Sequence, residues 1–236
     1  MKLTFLGTSH GVPEPNRQCS STLVEVCGKY YIIDMGCMVI PELVNRGIAI
    51  DDVKGVFITH LHGDHMNGLF QFVDLISWYY KTPDPVIALP ELTIRDDIHS
   101  YLQHTGVTMK ALPFVKIHSG VVFDDGTLKV TAIPTQHHVP SYSFLLEAEG
   151  KRILFTGDLK HPSVDFPKVE GHLDLAVCEG AHFHVTDYLP VWEGMDIGRI
   201  AIHHYVNRNV AHILKIQKEL APMPVTMVAD GMEIRL

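Results

Sequence analysis

Thr59-His60-Leu61-His62-Gly63-Asp64-His65 follows directly on the apolar, β-branched run Val56-Phe57-Ile58. Such a run reads as a short buried strand. Just past it, three imidazoles and a carboxylate crowd into the six residues from His60 to His65. Core packing does not call for that density of donor atoms, whereas metal coordination does. His60 and His62 alternate, so in an extended turn both rings point at one centre. Gly63 lets the backbone turn sharply, which allows Asp64 and His65 to serve a second centre beside the first. Asn67-Gly68-Leu69-Phe70 then opens an apolar helical stretch, so the donors sit on a strand-to-helix connection.

The pattern His-x-His-x-Asp-His, carried by His60, His62, Asp64 and His65, resembles the signature of the metallo-β-lactamase fold superfamily. The resemblance runs along nearly the whole chain. It implies an α/β fold, a four-layer αββα sandwich, with residues 1–236 as a single domain. A chain of 236 residues can bury a sizeable core, and α/β folds of this length often stay single.

Composition narrows the partners. Hydrophobic residues make up 46% and charged residues 19%, the balance of a soluble globular protein. The opening apolar run, Leu3 to Leu6, stops at Gly7 and is too short for a signal-peptide core. No stretch approaches the roughly 18 apolar residues of a membrane span. Cys19, Cys27, Cys37 and Cys178 show no Cys-x-x-Cys spacing and read as reduced thiols of a cytoplasmic protein, mostly core filler. A net charge of −8 argues against the basic face that a nucleic acid polymer needs. A small phosphorylated substrate stays compatible, because bound divalent ions invert the local field. Of sixteen histidines, His99, His104, His118, His172 and His212 are expected to take no catalytic part.

Lys2 to Leu6 reads as a strand and Gly7-Thr8-Ser9-His10-Gly11-Val12-Pro13 as the loop after it; this opening resembles ribonuclease Z-like members of the superfamily. His10 and Arg17 read equally as solvated loop residues or as parts of a substrate mouth. Strands over 21–26 and 30–33 meet at a turn on Gly28-Lys29. The second ends in Asp34, and in the superfamily the matching Asp supports the metal ligands; a helix N-cap or turn role is the alternative. Helices are expected over 41–46, 66–81, 91–104 and 210–220, with Trp78-Tyr79-Tyr80 packed in the core in preference to lining a pocket. Strands are expected over 85–89, 121–123, 128–133, 151–156, 174–179, 199–202 and 225–228.

The resemblance supplies the remaining site residues. His137-His138-Val139-Pro140 matches the ribonuclease Z-like His-x-Val-Pro, which selects His137, with His138 as its rival. Thr156-Gly157-Asp158 follows a strand, and the superfamily's Asp there is shared by two metals. His203-His204-Tyr205-Val206-Asn207-Arg208 aligns the last ligand on His204, with His203 as rival, and keeps Arg208. Val206 and Asn207 replace two serines that help hold phosphate in ribonuclease Z. The implied set is His60, His62 and His137 for one metal, Asp64, His65 and His204 for the other, and Asp158 between them. Nitrogen and carboxylate donors without thiolate suit zinc, with manganese or iron as alternatives. Cys178-Glu179-Gly180-Ala181 stands where the relatives have His-Glu-Ala-Thr, which weakens the case for a catalytic Glu–His pair. His184 aligns with their proton donor, and His182 is its rival.

Two divalent ions about 3.5–4 Å apart can hold a bridging hydroxide for attack on phosphorus or carbonyl carbon. Asp64 would orient it and His184 would protonate the leaving oxygen. The expectation is a cytoplasmic, dinuclear metal-dependent hydrolase, phosphodiesterase-like, acting on a small molecule. Only 20 residues separate His137 from Asp158, too few for the tRNA-gripping arm usual in ribonuclease Z, so the cyclic phosphodiesterase-like branch is preferred. The cysteine-bearing extra metal site of the phosphonate-operon enzyme in that branch is not found. Alternatives are a carboxyl-ester, thioester or lactone hydrolase on the same site and, from another class, a non-catalytic metal-bound binding module. Homodimers are common in these families, and the sequence shows no interface.

Overall fold

The computed structural model describes residues 1–12, 14–137, 140–220 and 223–236. Pro13 of the opening loop, the rival ligand His138 and its neighbour Val139 lie outside the described residues. The chain first lays down β1 (Lys2–Gly7), β2 (Ser21–Val26), β3 (Lys29–Met35), β4 (Val53–Phe57), β5 (Val86–Leu89) and β6 (Phe114–Lys116). There follow β7 (Gly120–Asp124), β8 (Lys129–Pro134), β9 (Tyr142–Ala148), β10 (Lys151–Phe155), β11 (Leu175–Gly180), β12 (Ile200–Tyr205) and β13 (Val225–Met227). A last strand, β14 (Glu233–Arg235), returns to pair with β1. Two seven-stranded sheets result, in the orders β14-β1-β2-β3-β4-β5-β6 and β13-β12-β11-β10-β9-β8-β7.

In the first sheet the pairs from β14 to β3 are antiparallel and those from β3 to β6 parallel. The second repeats this, antiparallel from β7 to β10 and parallel from β10 to β13. Parallel pairs need crossovers. Helices α1 (Val39–Asn45), α2 (Gly63–Leu75) and α3 (Thr93–His104) lie between strands of the first sheet, and α4 (Pro162–Asp165), α5 (Leu189–Trp192) and α6 (Val210–Glu219) between strands of the second.

Strand alternation makes the layers. In β3, Tyr31 and Ile33 face the second sheet and join Phe57, Phe144 and Ile153 in the central core. Ile32 between them packs outward with Leu69, Phe72 and Ile98 of α2 and α3. Across the molecule, Cys178, Trp192, Ile213 and Ile216 fill the layer between the second sheet and its helices. Helices, sheet, sheet, helices: the expected four-layer αββα sandwich is what the chain forms. Strands covered on both faces explain the near-continuous apolar runs of β3 and β11.

Several boundaries move. The β2–β3 turn sits on Cys27 and Gly28, whose φ angles of 50° and 75° give the tight turn that suits twisted hairpins, one residue before the expected Gly28-Lys29. α2 starts at Gly63 rather than near Asn67, so Asp64 and His65 belong to its first turn. It ends at Leu75, and a π-helical turn (Ile76–Tyr80) follows. That turn leaves Trp78 50% and Tyr79 64% exposed instead of packed in the core. β6, β9, β14, α4 and α5 are additions; all but β9 are three or four residues long, too short to show a period.

Candidate metal centre

The first sheet supplies one wall. Beyond β4, the Thr59 amide donates to Asp34 Oδ1 at 2.7 Å, and its hydroxyl reaches Asp34 Oδ2 at 2.9 Å. Asp34 Oδ2 also takes the His65 Nδ1–H at 2.8 Å. That bond fixes the ring's tautomer and leaves His65 Nε2 facing the centre. Asp34 can do this because it is the extra residue of a bulge. Ser21 pairs with Met35 and Thr22 with Ile33, and Asp34 between them adopts φ 57°.

The second sheet supplies the other wall from three separate connections. Tyr142 donates its amide to Thr59 O at 3.0 Å and so draws the chain after His137 against the first wall. Asp158 follows Gly157, which adopts φ 57° and whose Cβ would stand 2.8 Å from Tyr142 O; this position needs glycine. Asp165 gathers the loops of both ligands, accepting from the amides of Gln136 at 2.7 Å, Lys160 at 3.0 Å and His161 at 3.1 Å. In β12, His203 pairs with Glu179 and Tyr205 with Gly180, so His204 is a bulged residue, at φ 46°. The bulge separates the two rivals. His203 turns inward, packs beside Phe5 and donates Nε2–H to Gly7 O at 2.8 Å; burial pushes its pKa down to about 3. His204 turns to the centre.

All seven expected ligands come together, and their donor atoms fall into two groups. His62 Nδ1 lies 3.0 Å from His60 Nε2 and 3.4 Å from His137 Nε2, and Asp158 Oδ2 lies 3.6 Å from both of those Nε2 atoms. His204 Nε2 lies 3.1 Å from Asp64 Oδ2 and 3.2 Å from His65 Nε2. Asp158 also reaches this second group, with Oδ2 3.5 Å from His65 Nε2 and Oδ1 3.3 Å from His204 Nδ1.

The electrostatics prepare the donors. Burial, reinforced by neighbouring His65, pushes the His60 pKa down to about 2, so that ring is neutral. Burial works against ionised Asp158 and Asp64, yet the adjoining His204 and His65 hold both carboxyls well below the usual range. Burial also opposes charge on His65, but Asp158 and Asp34 outweigh it and raise its pKa, so a bound cation would displace a proton there. Asp158 Oδ1 and His204 Nδ1 are buried, close together, and without a hydrogen-bond partner among the described residues. Two such orphaned atoms cost free energy unless something satisfies both. A cation does so, and the donor set of imidazoles and carboxylates fits a divalent metal.

The pair expected to share the proton-donor role separates. His182 stands at the centre, its ring 4.4 Å from His137 and stacked 5.7 Å from His204. His184 packs instead against His212 at 4.6 Å. Glu179 holds His182: its Oε2 accepts from His182 Nδ1 at 2.9 Å and from the amides of Ala181 and His182 at 3.1 Å, while Oε1 accepts from Leu159 N at 2.9 Å. The Glu–His pairing is thus present despite Cys178, which points into the outer helical layer. Arg17 is bonded within the protein. Its guanidinium donates to Tyr205 O at 2.7 Å and Asn207 Oδ1 at 2.9 Å, tying the opening loop to the segment after His204.

Among the described residues no helix is long and apolar enough to cross a membrane. The chain resembles known proteins at several depths. Ribonuclease Z of Geobacillus kaustophilus (strain HTA426) is 32% identical over 148 residues, 61% of this chain and 48% of that protein, so the chain spans about half the length of that relative. The crystal structure of human tRNase Z, short form, superposes with a TM-score of 0.79 at 22% identity, covering 100% of this chain and 99% of that one. A diphosphatase from the PhnP family superposes at 0.73 and 17% identity, covering 100% and 97%. These likenesses show the metallo-β-lactamase fold. The family described as Anti-Pycsar protein Apyc1 matches over residues 1–177 of the 236. With that match across most of the chain, the protein belongs to the Anti-Pycsar Apyc1 family of the metallo-β-lactamase fold.

Proposed function

We propose that the chain is a dinuclear metal-dependent phosphodiesterase acting on a small phosphorylated molecule. The observation that carries this reading is the meeting of two donor sets, His60/His62/His137 and Asp64/His65/His204, at the single carboxylate of Asp158. Two divalent ions held there, zinc before manganese or iron, supply Lewis acidity and a water acidified from 15.7 toward roughly 7. The chain's own groups do the rest. Asp64, in the first turn of α2, orients the attacking water. His182 gives a proton to the leaving oxygen, taking the role expected of His184. Burial works against a charged His182, but the Glu179 carboxylate raises its pKa to about 9, so it carries that proton at neutral pH.

Substrate size follows from the chain between the ligands. The β9–β10 hairpin uses up the stretch from His137 to Asp158, leaving no length for a tRNA-gripping arm. Together with the net charge of −8 this favours a small substrate over RNA. We read residues 1–236 as one domain of a cytoplasmic enzyme whose four thiols are free. The test is metal content per chain, measured beside hydrolysis of bis(p-nitrophenyl) phosphate, a p-nitrophenyl carboxylate ester and a lactone. Two metals with selective diester cleavage are expected. Ester or lactone cleavage alone would move the reading to a carboxyl-ester or lactone hydrolase. Two metals without any turnover would move it to a binding module.

A further inference from the structure

The opening loop meets the second donor group, Asp64/His65/His204, at two of its three members. Both ends of the loop close on Asp230. Its Oδ1 accepts from the Thr8 amide at 2.9 Å and the Thr8 hydroxyl at 2.7 Å, and its Oδ2 accepts from the Gln18 amide at 2.6 Å. Between those ends the loop passes Asp64 so closely that a Cβ on Gly11 would stand 3.2 Å from Asp64 Oδ2. At His204 the chain before the loop and the loop itself hold both flanking residues. Gly7 O accepts from the His203 ring at 2.8 Å, and Thr8 O accepts from the Tyr205 amide at 3.3 Å. Arg17 then fastens Tyr205 from outside. Its Nη1 donates to Tyr205 O at 2.7 Å and to Thr8 O at 3.4 Å, and its guanidinium carbon lies 4.0 Å over the Tyr205 ring. Nη2 donates to Asn207 Oδ1 at 2.9 Å, and Glu14 balances the charge, with Oε2 at 3.8 Å from Nη2 and Oε1 accepting from the Asn207 amide at 3.0 Å. The Arg17 side chain is only 8% exposed, so a nearly buried cation has a main-chain carbonyl next to a ligand as its shortest partner.

We propose that Arg17 is a positioning residue for the second metal: by fixing Tyr205 it sets the backbone of His204 and keeps that ring on the Asp64/His65/His204 site. His204 is a bulged residue at φ 46°, a conformation that an L residue keeps only where its surroundings over-determine it. A ring carried by such a residue points where its neighbours force it to point. Without Arg17, Tyr205 keeps one weak amide bond to the loop, and the bulge relaxes. The planar fork serves two carbonyls and an amide oxygen and also stacks on a ring, a combination that a lysine ammonium cannot reproduce. The first group has separate supports, Asp34 behind Thr59 and Asp165 behind Gln136. Loss of Arg17 therefore falls on one metal of the two. The inference rests on the two-metal reading above and on no step of hydrolysis.

Stepwise zinc titration of the metal-free protein against a competing chelator tests this. Arg17→Ala is expected to weaken one of the two binding steps by about 10–100-fold, the cost of losing a support behind a ligand, and to leave the other within about twofold. Two backgrounds assign the step. In His62→Ala, which disables the first group, Arg17→Ala weakens the remaining site by the same factor; in Asp64→Asn, which disables the second, it changes nothing. Cobalt in place of zinc reports the same selectivity, its visible absorption changing on loss of Arg17 in the His62→Ala background alone. Arg17→Lys keeps part of the affinity, and it is read by the same comparison if Arg17→Ala does not fold. Equal weakening of both steps, which a general loosening of the fold gives, overturns the proposal, as does no weakening. Two metals without any diester cleavage would remove the phosphodiesterase reading while the stepwise affinities still decide Arg17. A parent that binds a single metal overturns both.

Discussion

Both sheets run from an antiparallel edge to a parallel one, and both carry a bulged residue at positive φ that faces the centre, Asp34 in the first and His204 in the second. They deliver donors differently. The first places His60, His62, Asp64 and His65 on one connection, β4 to α2, backed by a single carboxylate, Asp34. The second gathers His137, Asp158 and His204 from three connections, and each needs its own device: a carboxylate that collects loops, a required glycine, a bulge. Donors on one loop are set by local geometry. Donors on several loops exist as a group only once the second sheet has folded and docked.

The largest effect should come from breaking the contiguous loop. His60→Ala is expected to lose bound metal and diester hydrolysis together, on the order of 10³-fold in turnover, because a misplaced metal forfeits several kcal/mol of charge stabilisation. Metal analysis beside kinetics checks it; full activity would show that the loop does not coordinate. Next in size is the pair on the second sheet's side. His182→Ala should retain both metals and lose about 10²–10⁴-fold in kcat, with His184→Ala losing less. The reverse order would return the donor role to His184. Glu179→Gln removes the partner that raises His182, so the acid form is lost at lower pH and the alkaline limb of the rate profile moves down.

Smaller still is the device that gathers the loops. Asp165→Ala should weaken metal binding by about 10–100-fold in chelator competition, the usual cost of losing an outer support. No change would mean that the second wall stands without it. The smallest effect lies at the opposite end of the sandwich, where Asp125 links the sheets by accepting from Lys29 Nζ at 2.9 Å and the Tyr31 hydroxyl at 2.8 Å. Burial opposes its charge, but the Leu128 amide and Lys29 lower its pKa from 3.8 to about 2. A depressed carboxyl stabilises the fold above its ordinary pKa and stops doing so as pH falls through about 2. Discounted for its partial exposure, Asp125→Asn should cost about 1 kcal/mol at pH 7 by urea unfolding and nothing at the acid end. Diester hydrolysis should be untouched, since the site is at the other end of β3.

The same contrast governs what could be read without coordinates. His60 to His65 stand out in the chain because their spacing is itself the geometry. Thr156-Gly157-Asp158 is too common a tripeptide to signal a ligand, and only likeness to a superfamily singled it out. His182 and His184 stand two residues apart, so an extended reading puts both on one side, and nothing in the sequence says that the chain entering the 3-10 turn Val185–Tyr188 leaves only His182 at the centre. The i, i+3 pair of Glu179 and His182 was available as a signal, but Cys178 in place of the expected histidine masked it. Trp78 and Tyr79 continue the apolar pattern of α2 past its end, and nothing in a periodicity marks where a π-helical turn swings two rings into solvent.

The left-handed backbone of His204 has a consequence for how such a site is kept or lost. An L residue there gives up roughly 1–2 kcal/mol that glycine would not. In protein without metal, His204→Gly removes that strain together with the imidazole that faces the Asp64 and Asp158 carboxylates, so the relief is offset by two acids left without it. The charges of the site thus hold a strained residue where the backbone alone would take glycine.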